Sequence, residues 1–303
     1  MNYRIRRVTT ADMAALSALY KRCFDEDRSA TWLAHKFATG PLGDELIGCV
    51  ALTGEGELAA FYGVFPLQMC IGERQIKAAQ SGDTMTHPEH RKRGLFVRLA
   101  QATYALAREQ GFALIYGFPN AQSRPGFVKL DWTFREPLQV YRFSPKRSWW
   151  ARLRRAHPAQ VAARLQTLSV PLADACFAGS SQVVHDAAYL SYKQGYEESL
   201  LIKVDEVRLW VKPGARLDVG DLDAPGSVSD EALKSTFNRL LSNCGAKSLR
   251  FTFHPESPWG RRLAPICEAH AGQEPGFYIL DDTLADALNN APLYFSRGDF
   301  DFF

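Results

Sequence analysis

Apolar and polar residues alternate from Tyr3 to Val8, the period of a half-buried strand. The pattern then changes to helical spacing over Asp12–Phe24, with Thr10 placed as its N-cap. Two runs, Glu45–Leu52 and Leu58–Pro66, flank the turn Thr53-Gly54-Glu55-Gly56 and predict a strand pair. Gln68–Ile71 and Gln75–Thr86 predict a second pair around Gly72-Glu73. After the loop His87–Arg93, helical periodicity runs over Gly94–Gln110, Gly111 supplies a C-terminal cap, and Phe112–Phe118 reads as a buried strand. The last three elements form a strand–helix–strand unit at the end of a mostly antiparallel run, which predicts a mixed α+β fold.

The second half echoes this unit. Leu233–Leu241 reads as a helix, Gly245 ends it, and Leu249–Phe253 reads as a strand. The string AKSLRFTFHPES follows the plan of FALIYGFPNAQS at Phe112–Ser123, with a proline near each strand end. A degenerate repeat is the expectation. The length of 303 residues agrees with two domains, divided at 1–145 and 146–303. The basic, aromatic stretch Lys146–Arg155 falls at that divide. It reads either as a connector or as a membrane-surface contact through Trp149 and Trp150.

An apolar fraction of 46% and a charged fraction of 23% place the chain among soluble globular proteins. A net charge of +3 is too small to argue for a nucleic-acid partner, and it suits an anionic ligand. The six cysteines are scattered without C-x-x-C spacing, so neither a metal site nor a redox pair is expected. The opening MNYRIRRVTT lacks the apolar segment of a signal peptide, and no apolar run is long enough to span a bilayer. A reduced, cytoplasmic setting is expected.

The chemistry concentrates at Thr84–Phe96, TMTHPEHRKRGLF, where a strand enters a basic loop and then a helix. The first N–H groups of a helix have no intrahelical partner, and the helix dipole adds positive potential there. Gly94 lets a ligand approach the backbone, while Arg91, Lys92 and Arg93 add charge. This describes a pyrophosphate site. A solvated basic loop ahead of a surface helix has the same composition, so the residues alone leave both readings open.

Arg91-Lys92-Arg93-Gly94-Leu95-Phe96 resembles motif A of the GNAT superfamily of acyl-CoA-dependent acyltransferases. Phe96 stands where that motif usually has glycine or alanine, and the sequence is similar to the variant R-x-[KR]-G-[IL]-F. His87-Pro88 before it, Phe118-Pro119-Asn120 after the next strand, and Gly126-Phe127 with Leu130-Asp131-Trp132 continue the resemblance, which spans Arg4 to Phe143. The resemblance implies two GNAT-like halves, each a mixed, mostly antiparallel sheet flanked by helices. It also implies two parallel strands, ending at Thr86 and Phe118, that splay apart to admit the pantetheine arm of acetyl-CoA. The implied cosubstrate contacts are Met85, Thr86, Arg91, Lys92, Arg93, Gly94, Leu95, Phe96, Asn120 and Phe127.

In the second half, Asp186-Ala187-Ala188-Tyr189-Leu190 resembles the D-x-x-[FY]-L-x-W-R motif of tandem-GNAT proteins, with Ser191, Tyr192 and Lys193 at its end. The segment LYFSRGDFDFF, Leu293–Phe303, alternates like an edge strand or a strap folded over a cleft. The acceptor is expected between the halves. By analogy it is the primary amine of a nucleotide-linked amino sugar in a surface-polysaccharide pathway.

Direct attack of an amine on a thioester calls for a base and for stabilisation of the developing oxyanion. Asp83, His254 and Asp299 are the candidate bases, Tyr294 a candidate acid, and the backbone near Met85 a candidate oxyanion donor. Asp83, Tyr192 and Asp299 are candidate acceptor contacts. Each has a structural counterpart: a bonded edge carboxylate, a satisfied core histidine, a packed aromatic, a solvated terminus. Cys23 and Cys70 are not expected to be nucleophiles, and no acyl-enzyme is expected. The competing functions are an aminoacyl-tRNA-dependent transferase, a non-catalytic CoA-binding sensor and a lipid-surface protein.

Overall fold

The structure, a computed structural model, describes residues 2–145, 157–170, 182–290 and 293–303. The proposed contact through Trp149 and Trp150 lies outside these residues. Along the chain run β1 (Arg4–Arg7), α1 (Met13–Phe24), α2 (Ala30–Phe37), β2 (Ile47–Leu52), β3 (Leu58–Ile71), β4 (Arg74–Thr86), α3 (Leu95–Glu109), β5 (Leu114–Gly117), α4 (Arg124–Val128) and β6 (Thr133–Phe134). They are followed by β7 (Gln139–Phe143), α5 (Pro158–Gln166), α6 (Ala187–Gln194), β8 (Leu200–Val204), β9 (Val207–Lys212), β10 (Leu217–Asp223), α7 (Asp230–Cys244), β11 (Leu249–Phe253), α8 (Pro258–Leu263), β12 (Glu268–Ala271), β13 (Gly276–Ile279) and α9 (Ala285–Asn290).

The chain forms two compact units: Met1–Glu136 with Glu274–Ala291, and Pro137–Gln273 with Pro292–Phe303. Among the described residues the first unit's sheet runs β1-β2-β3-β4-β5-β13-β6, antiparallel except for the β4–β5 pair. α3 packs on one face over Ile47, Tyr62, Ala79 and Ile115, while α1 and α2 cover the other over Val50, Phe61, Phe65 and Met85. The second unit's sheet runs β12-β7-β11-β10-β9-β8, again with a single parallel pair, β10–β11. Leu233, Phe237, Leu240 and Leu241 of α7 and Val161 and Leu165 of α5 share one core with its strands. The α+β class and the two GNAT-like halves are as expected from the sequence.

Several local expectations shift. Thr9, not Thr10, caps the first helical turn: its N–H reaches Asp12 Oδ2 at 2.8 Å, and Arg6 clamps the same carboxylate. β3 runs unbroken through Pro66, which pairs with Ala79. Pro66 lies past the end of β2, so one side of β3 has no ladder to break there. α2 was not among the expected elements; its cap is Ser29, whose hydroxyl accepts from Trp32 N at 3.0 Å. The first unit is also discontinuous. β13 returns to pair with β5, although residues after 145 were assigned to the second domain, while β7 joins the second unit's sheet.

Candidate active site

β4 and β5 are joined only at Ala78–Gln80 and Leu114–Tyr116. Among the described residues β4 then continues to Thr86 without a paired strand on that side, which leaves room for an extended ligand alongside it. A β-bulge accompanies the divergence. Phe61 pairs with Met85 and Gly63 with Gly82, which leaves Asp83 and Thr84 opposite Tyr62 alone, and Asp83 is left-handed at φ 49°. An extra residue reverses the alternation of side chains. Ala79 therefore faces the α3 core, while Met85, six residues on, faces the α1–α2 core.

The same reversal sends Asp83 to the α1–α2 side, where Lys36 Nζ lies 2.7 Å from its Oδ2. The two side chains are only 3% and 6% exposed. Lys36 also lies over the rings of Trp32 and Phe65, at 5.3 and 5.2 Å. On the α3 side a buried hydroxyl chain runs beneath the split. Ser81 Oγ donates to Tyr62 Oη (2.8 Å), Tyr62 and Tyr104 share a hydrogen bond (2.8 Å), and Trp132 Nε1 donates to Tyr104 Oη (2.9 Å). Burial raises the pKa of both tyrosines, so they remain protonated.

The loop after β4 is held by its own backbone. Arg91 Nε donates to Thr86 O (3.3 Å), Arg93 to Glu89 O (3.2 Å), and Tyr3 Oη meets His90 Nδ1 (2.9 Å). Lys92 and Gly94 are left-handed at φ 60° and 72°, a geometry that turns backbone N–H groups toward one side. Gly94 begins α3 with no side-chain cap, and the first turn has no acidic residue. The orphan N–H groups are thus left for an anion. Phe96 packs edge-on to Phe127 and Tyr62, with ring centroids 5.1 and 5.4 Å away. A Cβ at Gly126 would come within 2.5 Å of the Phe96 ring. The bulky residue in the phosphate-loop motif is therefore matched by a glycine in α4, and it fills the core instead of the ligand side.

Residues 4–134 match the acetyltransferase (GNAT) domain family. The match lies within the first unit. No curated protein sequence matches the chain. Solved structures that share the fold include a GCN5-related N-acetyltransferase from Kribbella flavida (18% identity, TM-score 0.64, covering 93% of this chain and 72% of that one). A probable N-acyltransferase from Enterococcus faecalis V583 gives 13% identity and a TM-score of 0.65 over 93% of this chain and 73% of that one. A fungal region described as a GCN5-related glucosamine N-acetyltransferase gives 14% identity and a TM-score of 0.56, over 91% of this chain and 38% of that one. At these identities the likeness is one of fold.

Around the β4–β5 split the predicted residues differ in exposure. Arg91, Lys92 and Arg93 are exposed, whereas Met85, Leu95 and Phe127 are buried, leaving mainly their backbone for a ligand. Asn120 Oδ1 accepts from Gln122 N (2.9 Å) and Ser123 N (3.0 Å) and so caps the turn into α4. Cys23 Sγ points at Thr86 O (3.4 Å), with burial pushing its thiol pKa up against the opposing pull of Arg91.

His254, Tyr294, Tyr192 and Asp299 all lie in the second unit. His254 Nδ1 accepts from Glu256 N (3.1 Å), and its ring is 5.6 Å from that of Tyr294. Tyr192 is buried against Tyr196. Asp299 is wholly buried. It faces His185 Nε2 at 2.7 Å while Asp221 faces Nδ1 at 2.6 Å. Burial alone would lower the His185 pKa, but Asp299 and Asp221 overcome it and raise the value to about 9. Lys193, at the end of the D-x-x-Y-L motif, donates to Phe300 O (2.6 Å), and Tyr189 donates to Gly298 O (3.1 Å). The motif's side chains thus grip the segment 293–303.

Sequence reasoning missed Lys36, Tyr62, Ser81, Tyr104 and His185. Lys36 occupies the buried face of α2, and a lysine among Leu33 and Phe37 at helical spacing was the available signal. Among the described residues no group of His, Cys, Asp and Glu could hold a metal, and no helix is long and apolar enough to cross a membrane.

Proposed function

We propose that the chain transfers an acetyl group from acetyl-CoA to a primary amine, most specifically that of a nucleotide-linked amino sugar. The observation that carries this is the open β4–β5 split leading to an uncapped, basic helix N-terminus. Pyrophosphate would rest on the N–H groups after Gly94 with Arg91, Lys92 and Arg93 around it, and pantetheine would lie along β4 as an added strand. The Met85 N–H would receive the thioester oxygen as negative charge develops there. Asp83 is the proposed base. The ammonium of the acceptor loses one proton before attack and one after it, the N–C bond forms, the C–S bond breaks, and the thiolate takes up one proton. An amino sugar as acceptor accords with the description of the fungal neighbour as a glucosamine N-acetyltransferase region. His254 and Tyr294 remain proposed contacts of the second unit, whereas the carboxylate of Asp299 is proposed to act structurally, on His185.

A second reading, a CoA-binding protein without turnover, is favoured by one observation: Asp83 is enclosed with Lys36. Thermal melting with saturating acetyl-CoA, followed by thiol release with a panel of amines, tests both. A ligand at 100 times its Kd adds about 2.7 kcal/mol of stability. A shift with thiol release on nucleotide-linked amino sugars supports transfer. A shift without release on any amine supports the sensor. No shift sinks both.

A further inference from the structure

On the second unit's sheet the face opposite α7 carries a row of charge. Asp218 of β10 pairs in register with Lys212 of β9 and Arg250 of β11, and Arg250 with Arg142 of β7. Leu217 and Leu249 point into the core, so Asp218 and Arg250 share the other face, and Arg216 immediately precedes β10. Arg250 grips the Asp218 carboxylate through Nε and Nη2. Arg297, in the segment crossing this face, reaches the same carboxylate at 3.3 Å and Thr252 Oγ1 at 3.5 Å. Lys212 is already engaged by Glu197 at 2.6 Å.

Two guanidinium groups, of Arg250 and Arg297, thus share one carboxylate, and a third, of Arg216, is near enough to act electrostatically on Arg297. The Arg297 side chain is 11% exposed, and its Nε is buried without a hydrogen-bond partner. Burial lowers its pKa; Asp218 opposes that fall, and Arg250 and Arg216 add to it. An arrangement that desolvates one arginine beside two others is unfavourable unless an anion completes it. Arg250 and Asp218, 27% and 20% exposed, and the exposed Arg216 and Arg142 leave a way in from solvent.

We propose that this cluster is a binding site for a dianionic oxyanion, a phosphate or diphosphate group, held by Arg216, Arg250 and Arg297 with Asp218 as the bracket that orients them. Three cations against one carboxylate leave two positive charges, which a dianion balances. Guanidinium forks match the geometry of phosphate oxygens. The exposed Phe302 ring, 5.5 Å from the Arg297 guanidinium, gives a flat neighbour for a ring-bearing ligand. The proposal uses only the second unit and stands whether or not the acetyl-transfer reading does.

The test is calorimetric titration of the full chain with inorganic phosphate, pyrophosphate and a nucleoside diphosphate at low salt. Pyrophosphate is expected to bind, with affinity at least tenfold weaker in Arg250→Gln and several-fold weaker in Arg216→Glu. Arg216 is exposed, so its replacement leaves the fold intact. Asp218→Asn is expected to tighten binding, an outcome that loss of structure cannot mimic. In Lys92→Glu, which disables the first unit's loop, the binding that Arg250→Gln and Arg216→Glu weaken is expected to persist. Tighter binding of the nucleoside diphosphate than of pyrophosphate identifies a nucleotide as the source of the group, and equal binding identifies a free or simple phosphate. No pyrophosphate binding, or binding lost in Lys92→Glu and untouched by Arg216→Glu and Arg250→Gln, overturns the proposal.

Discussion

The unit β4–α3–β5 and the unit β10–α7–β11 have the same frame. Each has a short parallel pairing that gives out after two or three residues, a bulge on the first strand, and a helix with a left-handed glycine after it, at Gly111 and Gly245. In β10 the extra residue is Gly220, and Leu222 returns to the core where strict alternation from Val219 would have sent Asp221. The chemistry at the open ends is opposite. α3 begins with Gly94, uncapped and preceded by Arg91-Lys92-Arg93. α7 begins with Ser229, whose hydroxyl accepts from Ala232 N at 3.2 Å, followed by Asp230 and Glu231. Its first turn is satisfied and negative, which repels an anion. The second split is also filled. Ser296 bridges to Phe253, and Gly298 passes so near Gly220 O and the Trp210 ring that a Cβ would lie 3.2 and 2.3 Å from them. One backbone plan thus leaves the split open in one copy and fills it with a piece of its own chain in the other. The cap residue and the filling segment decide which.

The largest effect that sharpens this contrast is on the bulge of the first copy. Asp83→Asn is expected to lower kcat by about 10²–10⁴ with acetyl-CoA binding kept, as steady-state kinetics and melting together would show. Lys36→Met leaves Asp83 buried without its cation and is expected to lower both activity and stability, by about 3–5 kcal/mol for the broken pair.

In the second copy, His185 makes the filling segment depend on pH. Its folded pKa of about 9 lies above the ordinary 6.5, so its contribution is complete below about 6.5 and is lost as pH rises through 9. The loss is on the order of 3 kcal/mol. Melting of the chain should fall over pH 6.5–9, and His185→Gln should flatten that slope; an unchanged slope would remove His185 as the latch.

Gly94→Val is expected to weaken acetyl-CoA binding at least 100-fold, about 2.7 kcal/mol, in titration calorimetry. Nothing lies within 4 Å of a Cβ there, so the cost to the fold is only the left-handed backbone, about 1–2 kcal/mol. The smallest effect is Ser229→Ala, expected to cost about 1 kcal/mol of stability in a denaturant series and to confer no acetyl-CoA binding on the second copy.

Much of this organisation is written locally in the sequence. The change from strand to helix period located β1, α1, β4, α3 and β5. Arg91-Lys92-Arg93-Gly94 marked the basic loop and the start of α3, because helix ends and glycine conformations depend on adjacent residues. The echo of FALIYGFPNAQS in AKSLRFTFHPES disclosed the second copy. Even a local turn carries over: Asn120 and His254 each accept a backbone N–H from two residues ahead.

What the tertiary structure decided depends on register and on partners far along the chain. Whether Asp83 faces α2 or α3 rests on one extra residue in β4, which no periodicity reveals because the bulge is defined only against β3. Lys36 gains meaning when α2 brings it to Asp83, and Ser81 when Tyr62, Tyr104 and Trp132 line up beneath it. Asp299, a candidate base and acceptor contact whose other reading was a solvated terminus, closes on a histidine 114 positions earlier. The return of β13 to β5 likewise moved the domain division away from residue 145. The sequence by itself determined the elements and the basic loop ahead of α3, since local periodicity and helix-end chemistry act over a few residues. Only the folded chain decided which buried charges meet, because a charge is stable inside a protein only opposite the partner that the fold delivers.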